Sequence, residues 1–286
     1  MDEFVKSESK SVKANGIDVH YLERGVVGAP TVVMFHAIGM SAQIWNAIAN
    51  GLSDGFHVYS FDLRGHGDTK DDGNNYTFEK LGEDAAAVIK ELKLAGSIGI
   101  GHSAGGMAML IADSMNPGIV SKGVLVDTRV GESPMMLLTP EEQKIRIERT
   151  LQKRTIWESR EVMHEAYRDR RVFKPWEDRV FSDYIEGGTR LLEDGRAELK
   201  CLPTTEETFY ASRAKLEPQI LLKGLGGEYI LLVGDYDGAQ TIQDAAVQHL
   251  MRETKGFQLK ELGAGSHFVP MEFPDLVLKE IKAFIS

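Results

Sequence analysis

Apolar and polar positions alternate along Ile17–Gly25 (IDVHYLERG), the signature of an exposed antiparallel strand. Continuous apolar runs follow at Thr31–Ala37 (TVVMFHA) and Phe56–Gly65 (FHVYSFDLRG), as expected of strands covered on both faces. Between them SAQIWNAIANGL has helical spacing, with Ser41 as the predicted N-cap. A longer helical period runs over Thr77–Leu94, where Thr77 and Lys80 only loosely resemble a capping box. The chain then predicts a strand in SIGIGHSAG, a helix in GMAMLIADSM and a strand in SKGVLVDT. After an interruption come a strand at Gly227–Asp235, a helix in TIQDAAVQHLMRET, a strand in FQLKELG and a closing helix in PDLVLKEIKAFIS. Strands alternating with helices imply a mostly parallel, doubly wound sheet.

The interruption, roughly Val130 to Arg213, is rich in charge and aromatics. The spacing of Ile145, Ile147, Leu151, Ile156, Val162 and Tyr167 suits helices better than central strands, so a mostly helical insertion over the sheet is expected. The resulting organisation is a core in two parts, residues 1–130 and 216–286, around an insertion at 131–215.

The 286 residues suffice for one large α/β domain with an insertion. One cysteine, Cys201, forms no internal disulfide, and nothing points to an oxidising compartment. A net charge of −10 repels phosphate backbones, so no nucleic-acid partner is expected. The first ten residues, MDEFVKSESK, are charged and lack the apolar region of a secretory leader, and no apolar run reaches bilayer length. The expectation is a cytoplasmic protein without a membrane partner.

Chemistry concentrates at the strand-to-helix corner Gly101-His102-Ser103-Ala104-Gly105, which fits G-x-S-x-G in the context that motif requires. The small neighbours suit a serine held in an unfavourable backbone conformation with its hydroxyl exposed. A serine hydroxyl needs a base within hydrogen-bond reach. His267, in the loop GAGSHFVPMEFP between the last strand and the last helix, is the candidate. His102 adjoins the nucleophile on a tight turn and reads as packing or buttressing. The base needs a carboxylate, and three follow buried strands: Asp237 and Asp235 in LLVGDYDGA, and Asp127 in VLVDT. Asp237 lies further into its loop and is favoured, with Asp127 the alternative and Asp235 last. Oxyanion donors are expected from the backbone N–H of Ala104 and, in FHAIGMSAQIW, of Ile38, with Ala37 a lesser candidate and His36 holding the loop.

These residues resemble the α/β-hydrolase fold superfamily. FHAIGM is similar to its H-G-x-x oxyanion segment, DLRGHGDT to its D-x-R-G-x-G-x-S turn, GHSAGG to its nucleophile elbow, VGDYD to its acid turn and GSHFVPMEFP to its G-x-x-H and E-x-P segment. The resemblance covers nearly the whole chain outside the insertion. It implies a sheet of about eight strands, a helical cap inserted after the sixth, and a triad of Ser103, Asp237 and His267. Ala37 stands where the family has Gly, and Thr69 where it has Ser. Asp62 and Arg64 read as structural locks of their turn.

The expected activity is hydrolysis of a carboxylic ester or lactone of a small, largely apolar substrate through an acyl-enzyme. Trp157, Trp176, Tyr167, Tyr184, Phe173 and Met135–Met136 are candidate pocket residues of the cap, beside His36, Ala37 and His102. Ser103 argues against dehalogenase and epoxide-hydrolase chemistry, for which the family uses Asp. Cofactor-free perhydrolases share the elbow, and C–C bond hydrolases the triad. A hydrolase-like small-molecule receptor is the reading from another class. No phosphate-cradling motif sits at a convincing strand-to-helix turn and no Cys/His cluster has zinc spacing, so neither cofactor nor metal is expected. The resemblance makes a homodimer the assembly to test.

Overall fold

A computed structural model describes residues 6–71, 73–128, 130, 139–213, 216, 223–235, 245–254 and 256–286. Eight strands form one sheet in the order β1-β2-β4-β3-β5-β6-β10-β11. They are β1 (Glu8–Ala14), β2 (Ile17–Gly25), β3 (Thr31–Phe35), β4 (His57–Phe61), β5 (Ser97–His102), β6 (Val120–Val126), β10 (Glu228–Val233) and β11 (Gln258–Glu261). From β4 to β11 every neighbour is parallel, whereas β1 and β2 are antiparallel to each other and β2 to β4.

The apolar runs become the central strands because each is covered on both faces. Val32, Val33, Ile100, Val124, Leu231 and Leu232 are all fully buried. One face carries α2 (Phe78–Glu91) and α3 (Ala104–Met115), packed on each other. The other carries α1 (Asn46–Leu52), preceded by a 3-10 turn at Ala42–Trp45 and packed on the closing helix α10 (Pro274–Ile285). Ser41 begins that turn in extended conformation without a side-chain cap, whereas Thr77 accepts the N–H of Lys80 and caps α2.

Two differences from the sequence reading have simple causes. ESKSVKA forms β1 although its pattern is polar. It is an edge strand with most of its residues exposed, so burial leaves no mark on the sequence. Conversely β2, expected to be exposed, is mostly buried: Ile17, Val19 and Tyr21 pack in one cluster with residues of α2, and α1 contacts the strand. His20 keeps its polarity there by pairing with Asp62 at 2.6 Å.

The segment after β6 contains α4 (Pro140–Leu151), β7 (Ile156–Trp157), α5 (Arg160–Arg168), α6 (Asp178–Gly188), β8 (Thr189–Leu191), β9 (Ala197–Leu199) and α7 (Pro203–Arg213). The expected helices are there, joined by a small antiparallel sheet, β7-β9-β8, that the helical reading did not include. The segment has an aromatic core of its own. Phe181 is fully buried, Trp176 and Tyr167 nearly so, and Phe173 stacks on Tyr167 at 5.2 Å between centroids. It shares one apolar cluster with α1, α10 and that face of the sheet. The last elements are α8 (Ala245–Glu253), which follows β10, and the short α9 (Val269–Glu272) before α10.

No helix of the described residues is long and apolar enough to cross a membrane.

Candidate active site

The carboxyl ends of β3, β5 and β6 lie side by side in the sheet, so the turns that leave them meet above one edge. Ser103 follows β5 with φ 52° and ψ −113°, a left-handed conformation that costs of order 1–3 kcal/mol and needs support from its surroundings. The glycines around it allow close approach. A Cβ on Gly101 would lie 2.4 Å from Gly106 Cα, and one on Gly105 would lie 2.1 Å from the carbonyl oxygen of Phe35. The corner is therefore as tight as the G-x-S-x-G pattern implied. The main chain of Ser103 is held at both ends: its N–H donates to Val126 O at 3.1 Å, and its carbonyl accepts the N–H of Met107 at 3.2 Å.

His267 Nε2 lies 3.1 Å from Ser103 Oγ, and His267 Nδ1 lies 2.8 Å from Asp127 Oδ1. An ionised carboxylate only accepts, so Nδ1 carries the proton and the lone pair of Nε2 faces the serine hydroxyl. Asp127 follows β6 at φ 43° and is 1% exposed. Its N–H donates to Leu232 O at 2.8 Å, and its second carboxylate oxygen accepts the N–H of Gly234 at 3.2 Å, so the end of β10 anchors it. Among the described residues Asp127, the alternative candidate, is the carboxylate that meets His267. The favoured Asp237 lies outside the described residues, and Asp235 is exposed.

The loop that carries His267 has two further supports. Glu272 accepts the N–H and hydroxyl of Ser266, both at 2.6 Å. His102 Nε2 lies 2.8 Å from the carbonyl oxygen of His267.

Ile38 lies in the turn that follows β3, and Ala104 is the first residue of α3. The N–H of Ala104 therefore belongs to the first helical turn, whose amides have no intrahelical acceptor and which carries the positive end of the helix dipole. Two buried imidazoles clamp the loop containing Ile38. His36 donates from Nδ1 to Ala37 O at 2.7 Å and accepts the N–H of Leu63 at 3.0 Å. His66 donates from Nδ1 to Arg64 O at 2.8 Å and accepts the N–H of Gly39 at 2.9 Å. Burial holds His36 near a pKa of about 3 and His66 near about 4, so both are neutral, as acceptors must be. The role of His66 was not singled out from sequence; one more histidine in a Gly-rich turn gives no signal of a bond to residue 39.

The turn after β4 is locked as expected. Asp62 accepts the N–H groups of Ala42 at 2.6 Å and Asp68 at 2.8 Å, and Arg64 makes a bidentate pair with Asp84, both contacts at 2.8 Å. Thr69, in the place of the family's Ser, donates to Asp62 O at 2.8 Å, so the change keeps the hydroxyl's bond.

Five of the candidate pocket residues, Trp157, Trp176, His36, Ala37 and His102, are buried. Trp157 is 5% exposed, donates from Nε1 to Arg154 O and stacks against Arg154. Trp176 is 2% exposed among Phe173, Tyr184 and Phe268. Both belong to the apolar cluster that this segment shares with α1, α10 and one face of the sheet. His36, Ala37 and His102 are likewise buried beneath the site. Tyr184 and Phe173 are half-buried, and Met135–Met136 lie outside the described residues. Among the described residues, His20, Asp62 and Asp68 form a group close enough to hold a metal. Hydrogen bonds and ion pairs already occupy them: His20 with Ser9 and Asp62, Asp62 with two main-chain amides, Asp68 with Lys200.

The family model described as the alpha/beta hydrolase family matches residues 32–280, and the chain belongs to that family. It is 31% identical over 128 residues to a bifunctional esterase/perhydrolase of Acinetobacter calcoaceticus, covering 44% of this chain and 45% of the relative. It is 34% identical over 116 residues to a non-heme chloroperoxidase of Streptomyces lividans, covering 40% and 42%. The chain thus spans less than half the length of these curated relatives in the matched stretches. Among solved structures, an E-2-(acetamidomethylene)succinate hydrolase superposes with a TM-score of 0.82 at 19% identity, covering 98% of this chain and 99% of that one. That likeness concerns the fold.

Proposed function

We propose that the chain is a serine hydrolase that cleaves a carboxylic ester or lactone of a small, largely apolar substrate. The observation that carries this reading is the unbroken hydrogen-bonded row Ser103 Oγ, His267 Nε2, His267 Nδ1, Asp127 Oδ1 above the carboxyl edge of the sheet. Ser103 Oγ attacks the carbonyl carbon as its proton passes to His267 Nε2. Asp127 holds the ring in its tautomer and stabilises the imidazolium. The carbonyl oxygen, now negative, is met by the N–H groups of Ala104 and Ile38. Collapse breaks the bond to the leaving oxygen, which takes the proton from His267. Water, deprotonated by the same nitrogen, then attacks the acyl-enzyme, and Ser103 recovers its proton as the acid departs.

The inserted segment serves as the cap over this site in our reading. It leans on the base loop, where the Trp176 and Phe268 rings are 5.4 Å apart and Glu177 N–H donates to Met271 O at 3.0 Å. It also meets the oxyanion loop, where the carboxylate of Glu206 faces Gly39. The division into 1–130, 131–215 and 216–286 follows from the same view.

The names of the two curated relatives favour a second reading on the same residues. Hydrogen peroxide in place of water would take the acyl group from Ser103, leaving a peracid and the free hydroxyl. The test is labelling with a fluorophosphonate, followed by a screen of esters and lactones with and without peroxide. Modification at Ser103 and turnover lost in Ser103→Ala are expected. Labelling elsewhere, or none, removes the mechanism, and tight binding with a single turnover would instead indicate a receptor.

A further inference from the structure

His102 ends β5, immediately before Ser103, and is completely buried. Its Nε2 sits 2.8 Å from the carbonyl oxygen of His267, which is 165 positions away. A carbonyl only accepts, so Nε2 carries the proton and donates. Nδ1 then presents a lone pair, and this buried atom has no hydrogen-bond partner among the described residues. Burial, and secondly the neighbouring His267 imidazole, push the pKa of His102 down to about 3, so the ring is neutral. An unpartnered buried ring nitrogen is destabilising, and an apolar side chain of similar size would avoid it. What the imidazole supplies in exchange is one directional bond to the main chain of residue 267.

We propose that His102 is a positioning residue that sets the approach of His267 to Ser103. Residues 102 and 103 are adjacent on one strand end. The first holds the carbonyl of His267 and the second faces its Nε2, while Asp127 takes Nδ1. The histidine is thereby fixed at main chain and ring, relative to the same short piece of backbone that carries the hydroxyl. Glu272 holds Ser266 but touches neither the carbonyl nor the ring, so it does not duplicate this contact. The inference rests on the reading of Ser103 and His267 as nucleophile and base.

Two amides separate the bond from mere packing. The amide nitrogen of Gln is as many bonds from Cα as Nε2 of His, whereas that of Asn is as far as Nδ1. His102→Gln can reach the His267 carbonyl and His102→Asn cannot. With p-nitrophenyl acetate, His102→Asn is expected to lower kcat about tenfold with KM within about twofold, since misplacement of a reacting group acts on the chemical step. His102→Gln is expected to recover kcat to within about threefold of the parent. The rate of fluorophosphonate labelling at Ser103 should follow kcat, and unfolding midpoints of both variants confirm that folded protein is compared. Equal losses in the two variants, or parental kcat in His102→Asn, would overturn the proposal. Hydrolysis that survives Ser103→Ala would instead overturn the underlying mechanism, whatever the His102 variants do.

Discussion

Asp127 and His267, 140 positions apart in the chain, meet at 2.8 Å, and the carboxylate comes from the end of β6. β6 and β10 are neighbours in the sheet, and Asp127 is tied to β10 through Leu232 O and Gly234 N–H. Asp127→Asn keeps the shape but offers an amide where the ring needs an acceptor. A kcat loss of about 10³–10⁴ is expected, with small change in KM, because the wrong tautomer then faces Ser103. Asp235→Asn, at an exposed position, should leave kcat unchanged. The same substitution at Asp237 is the direct comparison, and a loss there with Asp127→Asn active would return the acid to the loop after β10.

The elbow glycines make a second prediction, on stability. A methyl at residue 105 would meet the Phe35 carbonyl oxygen at 2.1 Å, a backbone atom at the end of β3 that cannot rotate away. Gly105→Ala should lower the unfolding free energy by roughly 2–4 kcal/mol. It should also disturb the loop containing Ile38, which begins at the same strand end. Urea titration, with kcat measured on the folded fraction, reads both effects. Unchanged stability would mean that the corner is looser than the geometry states.

The central strands announced themselves because burial on both faces leaves no room for polar side chains, as in TVVMF and YILLV. Ser103 and His267 could be singled out because each stands in a turn whose small residues have a backbone reason, and the structure places them 3.1 Å apart. The carboxylate was not separable, since Asp127 and Asp237 each follow a buried strand and those strands are adjacent in the sheet. Tertiary placement brings Asp127 onto the imidazole, at 2.8 Å. β1 was invisible for want of burial, and the burial of Trp157 and Trp176 was not legible because an aromatic residue in a segment's core and one on its wall look alike in sequence.

The oxyanion loop yields a third prediction. His66 accepts the N–H of Gly39 and holds the Arg64 carbonyl, while its ring lies against His36 and Phe209 at 5.2 and 5.7 Å between centroids. His66→Phe preserves the ring contacts and removes both bonds. If the loop presents an oxyanion donor, kcat should fall by about 10- to 100-fold while ground-state binding of substrate changes little. A rise in KM at constant kcat would mean that the loop binds substrate instead of stabilising developing charge.

His36, His66 and His102, the three most deeply buried imidazoles, also contribute to how stability depends on pH. His36 and His102 are held near about 3 and His66 near about 4, in each case chiefly by burial. In the unfolded chain a histidine titrates near its ordinary value of about 6.5. Above that value neither state binds the proton and stability is independent of these groups. As the pH falls from about 6.5 towards 4, the unfolded state takes up protons that the native state refuses, so the unfolding free energy must drop. Each ring contributes at most about 1.4 kcal/mol per pH unit in that window. Three such rings should give a clear decline between pH 6.5 and 4.5. Urea unfolding at half-unit intervals measures it, and His66→Phe should reduce the slope by up to about a third. Asp183, raised to about 6 by burial, works in the opposite sense in this window, so the reading is the difference in slope between the parent and His66→Phe, and an equal slope in the two would overturn the prediction for His66.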